Sequence, residues 1–195
     1  MEKLNGKKKL IVSVFISGRG TNLKSLIEFS KKKNSPIKMA LVICNNKSAK
    51  GLNYAKKNKI NFLLINYKNK NKAENEILIN LKKNKISLIC LAGFMKILSR
   101  KIINIYKNKI LNIHPSLLPK YKGLNTHKKV IKNKDRFTGC TVHLVNSKLD
   151  SGKIILQKKI KVFKKDNEYS LAKRVLKVEN LTYPRAIRKF VETNL

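Results

Sequence analysis

Residues 10–23 read LIVSVFISGRGTNL, and this stretch sets the fold class. Leu10 to Ile16 is a short apolar run that stops abruptly at polar residues, the signature of a buried strand. Ser17-Gly18-Arg19-Gly20-Thr21-Asn22 then forms a loop that hands the chain to a first helix. The alternation continues outward. Strands are expected near 10–16, 38–43, 61–65, 86–92, 109–113, 138–145 and 153–160, with helices filling most of the gaps. Ile77, Leu78 and Leu81 have amphipathic spacing within 73–83. So do Leu171, Val175, Val178, Ile187 and Val191 within 168–191, where Pro184 should kink the helix or divide it in two. Short strands alternating with helical segments define an α/β domain on a mostly parallel sheet flanked by helices.

The 195 residues fit one domain with a sizeable core. With no internal repeat and no Pro/Gly/Ser linker, a single domain over 1–195 is expected, and residues 1–8 read as a flexible basic extension. No apolar run approaches the ~20 residues that span a bilayer. Lys7, Lys8 and Lys9 before an apolar stretch resemble the start of a secretory signal, but no small-residue cleavage site follows, so the stretch reads as a first strand. Cys44, Cys90 and Cys140 lie far apart in apolar surroundings without metal-ligand spacing. They read as core residues of a cytoplasmic protein, and no metal is expected.

Lys and Arg number 46 against 10 Asp and Glu, a formal charge of +36. Such charge ordinarily points to nucleic acid. Here the lysines are spread over the whole chain among many asparagines, as in KKKN and NYKNKNK. AT-rich codons explain that composition, so a solvated surface is expected and no specific nucleic-acid partner.

Three elements can carry chemistry. The loop at 17–22 offers backbone N–H groups at a helix N-terminus and glycines that permit close approach, which suits an anion. It is neither a G-x-G-x-x-G fingerprint, since Leu23 stands at the third glycine, nor a P-loop, so a phosphomonoester fits better than a dinucleotide. An ordinary turn with a Thr or Asn cap is the plainer alternative. The second element is LNIHPSLLPKYKG, residues 111–123. If a strand ends near Ile113, Asn112 and His114 share one face by alternation, and an amide donor and an imidazole converge at its end. The third, Asn146-Ser147-Lys148-Leu149-Asp150-Ser151-Gly152, is a polar turn. It is either a plain hairpin loop or the source of a carboxylate, Asp150, that orients His114. His143, on a strand, reads as a residue that packs or hydrogen-bonds there, with a functional role as the alternative.

Taken together, SGRGTNL (17–23), LAGFMKILS (91–99), LNIHPSLLPKYKGL (111–124), TGCTVHLV (138–145) and LDSGKIILQ (149–157) resemble, in order and spacing, the phosphoribosylglycinamide formyltransferases, folate-using enzymes of purine synthesis. The match runs from about Leu10 to Pro184. The resemblance implies a Rossmann-like formyltransferase fold that moves a formyl group from 10-formyltetrahydrofolate, the co-substrate, to the amine of 5'-phosphoribosylglycinamide. It places Asn112, His114 and Asp150 on the catalytic trio. Gly20, Thr21 and Asn22 fall on the phosphate loop, and Glu179 on a carboxylate that contacts the same substrate. Met95, Lys96, Ile97 and Leu98, with Asn146, Ser147, Lys148, Leu149 and Asp150, fall on the wall around the folate pterin. Asn112 belongs to that wall as well, and Lys70 stands where relatives can carry an Arg toward the folate.

The implied chemistry is oxyanion stabilisation by Asn112 and His114 while Asp150 orients or charges His114 and helps a water move the amine proton. Asn125 and Lys122 depart from residues common in the family, as does the end at Leu195, and are expected to alter loop rigidity or affinity and not the reaction. Small-molecule substrates, no membrane and a monomer or weak homodimer are expected. Methionyl-tRNA formyltransferase and formyltetrahydrofolate deformylase share the Asn-x-His core. The first would explain the basic charge, but needs a C-terminal nucleic-acid-binding domain for which no room is expected. The second usually carries an N-terminal regulatory domain not expected here. A noncatalytic nucleic-acid-binding module of the same fold is the rival of a different class.

Overall fold

The computed structural model describes residues 3–4 and 7–194, with side chains from Lys9 to Asn194. The extension expected over 1–8 falls partly on residues 1, 2, 5 and 6, outside the described residues. Lys3–Leu4 pairs antiparallel with Lys7–Lys8. The chain forms two compact units, Met1–Leu111 and Asn112–Leu195.

In the first unit, β1 (Leu10–Ile16), β2 (Ile37–Cys44), β3 (Asn61–Leu64) and β4 (Leu88–Leu91) form parallel neighbours in the order β3-β2-β1-β4. Central β1 buries Val12, Val14, Phe15 and Ile16 completely, which is why its apolar run is continuous instead of alternating. Helix α1 (Thr21–Ser30) buries Leu23, Leu26, Ile27 and Phe29. Helix α2 (Leu52–Lys57) follows β2. Helix α3 (Lys70–Lys83) begins three residues earlier than the apolar spacing indicates, because the Asn69 side chain caps it by accepting from the Lys72 N–H. Its buried stripe is Ala73, Ile77 and Leu81. Helix α4 (Arg100–Ile105) is capped by Ser99.

Strand β5 (Ile110–His114) carries the chain from the first unit into the second. There α5 (Thr126–Lys132) leads to β6 (Phe137–Leu144), which lies between β5 and β7 (Ile154–Lys161). β6 and β7 pair antiparallel, with a register shift between Val142 and His143. Their backbones approach closely at Gly139, where a Cβ would stand 1.9 Å from the Lys158 carbonyl oxygen. Helix α6 (Glu168–Asn194) packs on both strands. It runs unbroken through Pro184, so the expected division does not occur. Proline removes one backbone hydrogen bond, but Tyr183, Ala186 and Ile187 around it are completely buried and hold both halves to the same core.

The result is the expected α/β fold with a mostly parallel sheet, each strand within about two residues of its expected place. Cys44, Cys90 and Cys140 are fully buried and in no disulfide, as core residues should be. Burial pushes the Cys140 thiol up to about 11, so it is inert at neutral pH. Among the described residues no helix is long and apolar enough to cross a membrane.

Candidate active site

Strand alternation puts Asn112 and His114 on one face of β5, and both meet Asp150. The Asn112 amide donates to Asp150 Oδ1 at 3.4 Å, while His114 Nδ1 lies 3.4 Å from Asp150 Oδ2. Asp150 sits in the turn after β6 with φ of 45°, the left-handed region that short polar side chains tolerate. The Gly123 N–H donates to Asp150 Oδ2 at 2.9 Å, and Gly123 itself has φ of 75°. The trio predicted from sequence therefore forms a cluster within the second unit.

His143 joins it. Its side chain is 2% exposed, and its Nε2 lies 3.2 Å from Asn112 Nδ2 and 3.5 Å from Asp150 Oδ1. Nδ1 is 2.8 Å from the Leu144 carbonyl, which can only accept, so Nδ1 carries a proton. In the neutral ring Nε2 is then the acceptor for the Asn112 amide. Sequence reasoning favoured packing or a structural hydrogen bond for His143 over a functional role. The missing signal is the register shift at Val142/His143, which re-aims the side chain and leaves no trace in composition.

His114 Nε2 donates to the Tyr121 carbonyl at 2.8 Å. This fixes the tautomer, so the neutral ring presents the Nδ1 lone pair to Asp150. Burial pulls the His114 pKa below the usual imidazole value, and the Tyr121 carbonyl and Asp150 oppose that pull without cancelling it. For Asp150 burial pushes upward, but the contact with His143, the hydrogen bond from the Gly123 N–H and the nearby imidazoles outweigh it and hold the carboxyl below its usual range. A carboxylate beside a mostly neutral imidazole is a ready proton acceptor. When Nδ1 takes a proton, the 3.4 Å approach becomes a charge-assisted hydrogen bond.

The remaining predicted residues lie as follows. Gly20, with φ of 72°, is the N-cap of α1, and no side chain caps that helix end. Thr21 and Asn22 are its first two residues, so the ordinary Thr or Asn cap is absent and backbone faces the loop. Gly51, missed in the sequence, makes this possible: a Cβ on Gly20 would stand 2.5 Å from the Gly51 Cα. Met95 and Ile97 are 66% and 70% exposed. Lys96 is exposed too, whereas Leu98 is buried and supports the segment from beneath. The Met95 N–H is held by Ser17 Oγ at 2.8 Å. Lys70 is exposed at the start of α3. Asn146, Ser147, Lys148 and Leu149 form the exposed turn leading to Asp150, and Glu179 is buried on α6. Among the described residues no group of three His, Cys, Asp or Glu side chains could hold a metal ion.

The fold and this cluster define a formyl transferase, and the chain belongs to that family, whose sequence profile matches residues 9–187. It is 42% identical over 187 residues to the phosphoribosylglycinamide formyltransferase of Haemophilus influenzae, covering 94% of this chain and 88% of that protein. It is 40% identical over 185 residues to the human trifunctional purine biosynthetic protein adenosine-3, covering 93% of this chain and 18% of that protein's length. Among solved structures, glycinamide ribonucleotide transformylase 1 from Symbiobacterium toebii matches with a TM-score of 0.91 at 34% identity, over 96% of this chain and 90% of that one. The Brucella melitensis phosphoribosylglycinamide formyltransferase matches with a TM-score of 0.90 at 39% identity, over 94% and 96%.

Proposed function

We propose that this chain transfers the formyl group of 10-formyltetrahydrofolate to the amine of 5'-phosphoribosylglycinamide, giving formylglycinamide ribonucleotide and tetrahydrofolate in purine biosynthesis. The observation that carries the chemistry is the cluster of Asn112, His114 and Asp150. The names of the relatives favour this acceptor over tRNA. The substrate amine attacks the formyl carbon and forms the new C–N bond, and the carbonyl electrons become an oxyanion. The long, weak bond from Asn112 to Asp150 yields so that the amide N–H can turn to the oxyanion. Asp150 and the Nδ1 of His114 together hold the proton lost by the amine. The C–N bond to the folate nitrogen then breaks as that nitrogen receives a proton.

The same reading assigns the phosphate to Gly20, Thr21 and Asn22, with Glu179 a second contact for the glycinamide ribonucleotide. It assigns the pterin to the segment Met95 to Leu98 and the turn Asn146 to Asp150, and the folate tail to Lys70. A single formyltransferase domain is supported by a family match that spans both units. Three buried cysteines outside any disulfide support a cytoplasmic home. A monomer or weak homodimer completes the reading.

The test is formyl transfer by purified protein with initiator methionyl-tRNA as the competing acceptor. Folate deformylation should require the glycinamide, and His114→Ala should lower kcat by about 10²- to 10⁴-fold, the usual worth of a positioned proton acceptor. Transfer to tRNA alone, or none to either acceptor, would overturn the proposal.

A further inference from the structure

His114 is oriented by a backbone carbonyl, and the residue that owns this carbonyl is itself held from outside the trio. Tyr121 has φ of 57°, a conformation that non-glycine residues avoid, and in it the C=O lies 2.8 Å from His114 Nε2. The Tyr121 ring is pinned at its far end. Its hydroxyl donates to Asp135 Oδ2 at 2.7 Å and accepts from Asn133 Nδ2 at 2.8 Å. Asp135 is fixed in turn to the C-terminal end of α5, where its N–H donates to the Val130 carbonyl at 3.1 Å. The near end of the loop has its own anchor: Ser116 Oγ donates to the Lys120 carbonyl at 2.6 Å, and Thr141 Oγ1 donates to the Ser116 carbonyl at 2.7 Å.

We propose that Tyr121 and Asp135 are positioning residues for His114: the hydroxyl-carboxylate contact locks the Tyr121 carbonyl onto Nε2 and so presents Nδ1 to Asp150. This rests on the proposed transferase reading, in which His114 is catalytic. Loss of the lock should loosen the Nε2–H bond to the carbonyl. That bond favours the charged imidazole, so its loss moves the His114 titration further down. The other groups acting on this ring are Asp150, His143, Lys129 and His127, and none is altered by the changes below.

The experiment compares Tyr121→Phe, Asp135→Ala, Asp135→Asn and Lys120→Ala in the full chain by steady-state kinetics and by NMR titration of the His114 ring. Tyr121→Phe and Asp135→Ala should each lower kcat about tenfold, with KM for both substrates within about twofold. Both should shift the His114 titration to lower pH. Asp135→Asn keeps an acceptor for the hydroxyl and should restore most of the rate. Lys120→Ala removes the exposed ion pair to Asp135 at 3.2 Å and the ammonium 5.9 Å from the Tyr121 ring centroid, leaves the hydroxyl-carboxylate contact in place, and should match the parent. In a His114→Ala background, Tyr121→Phe should cost nothing further. An unmoved His114 titration in Tyr121→Phe, or an equal loss of rate in the His114→Ala background, overturns the proposal. Absence of formyl transfer in the parent would instead overturn the transferase reading, and the titration would still decide the positioning role.

Discussion

At the residue scale the pair His114 and Asp150 couples charge to folding. Both have pKa values below their ordinary ones, so for each the unfolded chain holds protons more tightly than the folded one. The His114 contribution is complete above the unfolded imidazole value of about 6.5 and is lost as pH falls through the lower folded value. The Asp150 contribution is complete above about 3.9 and is lost on further acidification. Burial lowers His127 as well, so it shares the upper window. Thermal melts should hold level from about pH 8 to 7, decline from about pH 6.5 downward, and fall more steeply below about pH 4. In His114→Gln the upper step should shrink, leaving the part owed to His127. A melting temperature constant between about pH 7 and 5.5 would contradict this assignment.

The elements set where these side chains stand, and here backbone approach governs. Gly20 and Gly51 come together so closely that neither tolerates a Cβ without movement. One on Gly51 would meet Ile16 Cδ1 at 2.7 Å, with the Gly18 oxygen and the Gly20 Cα at 3.0 Å. Gly51→Ala should therefore distort the loop before α1 and raise KM for phosphoribosylglycinamide about tenfold or more, with kcat little changed. Unaltered saturation by that substrate would separate the loop from phosphate binding. The loop itself was legible in SGRGTNL, because glycines and polar residues between an apolar run and a helical segment mark a turn. Gly51 was not, since it lies some thirty residues on in a lysine-rich stretch without pattern. Pro184 is the converse case. Its local rule predicts a break, and the buried stripe of α6 overrides it.

For the whole molecule the dominant quantity is charge. A formal net charge of +36 creates a field that attracts any anion, whatever its origin in codon usage. Both proposed substrates are anions. Their kcat/KM should therefore fall several-fold as salt rises from about 20 to about 300 mM, over which the screening length shrinks to a few ångströms. The fall should track ionic strength and not the identity of the salt. A flat salt response would show that the lysines leave the reaction untouched.

The amino-acid sequence alone determined the order of strands and helices, because apolar runs and amphipathic spacing record which faces are buried. It also pointed to the trio, since alternation along β5 puts Asn112 and His114 on one side and the family resemblance supplies Asp150. Only the tertiary structure decided which neighbours complete the cluster. His143 enters through a register shift, Tyr121 through a carbonyl that any residue type would possess, and Asp135 through a contact 14 positions away. These are matters of backbone path, and side-chain identity does not encode them locally: a carbonyl has no letter in the sequence, and its direction is fixed only when the chain around it has packed.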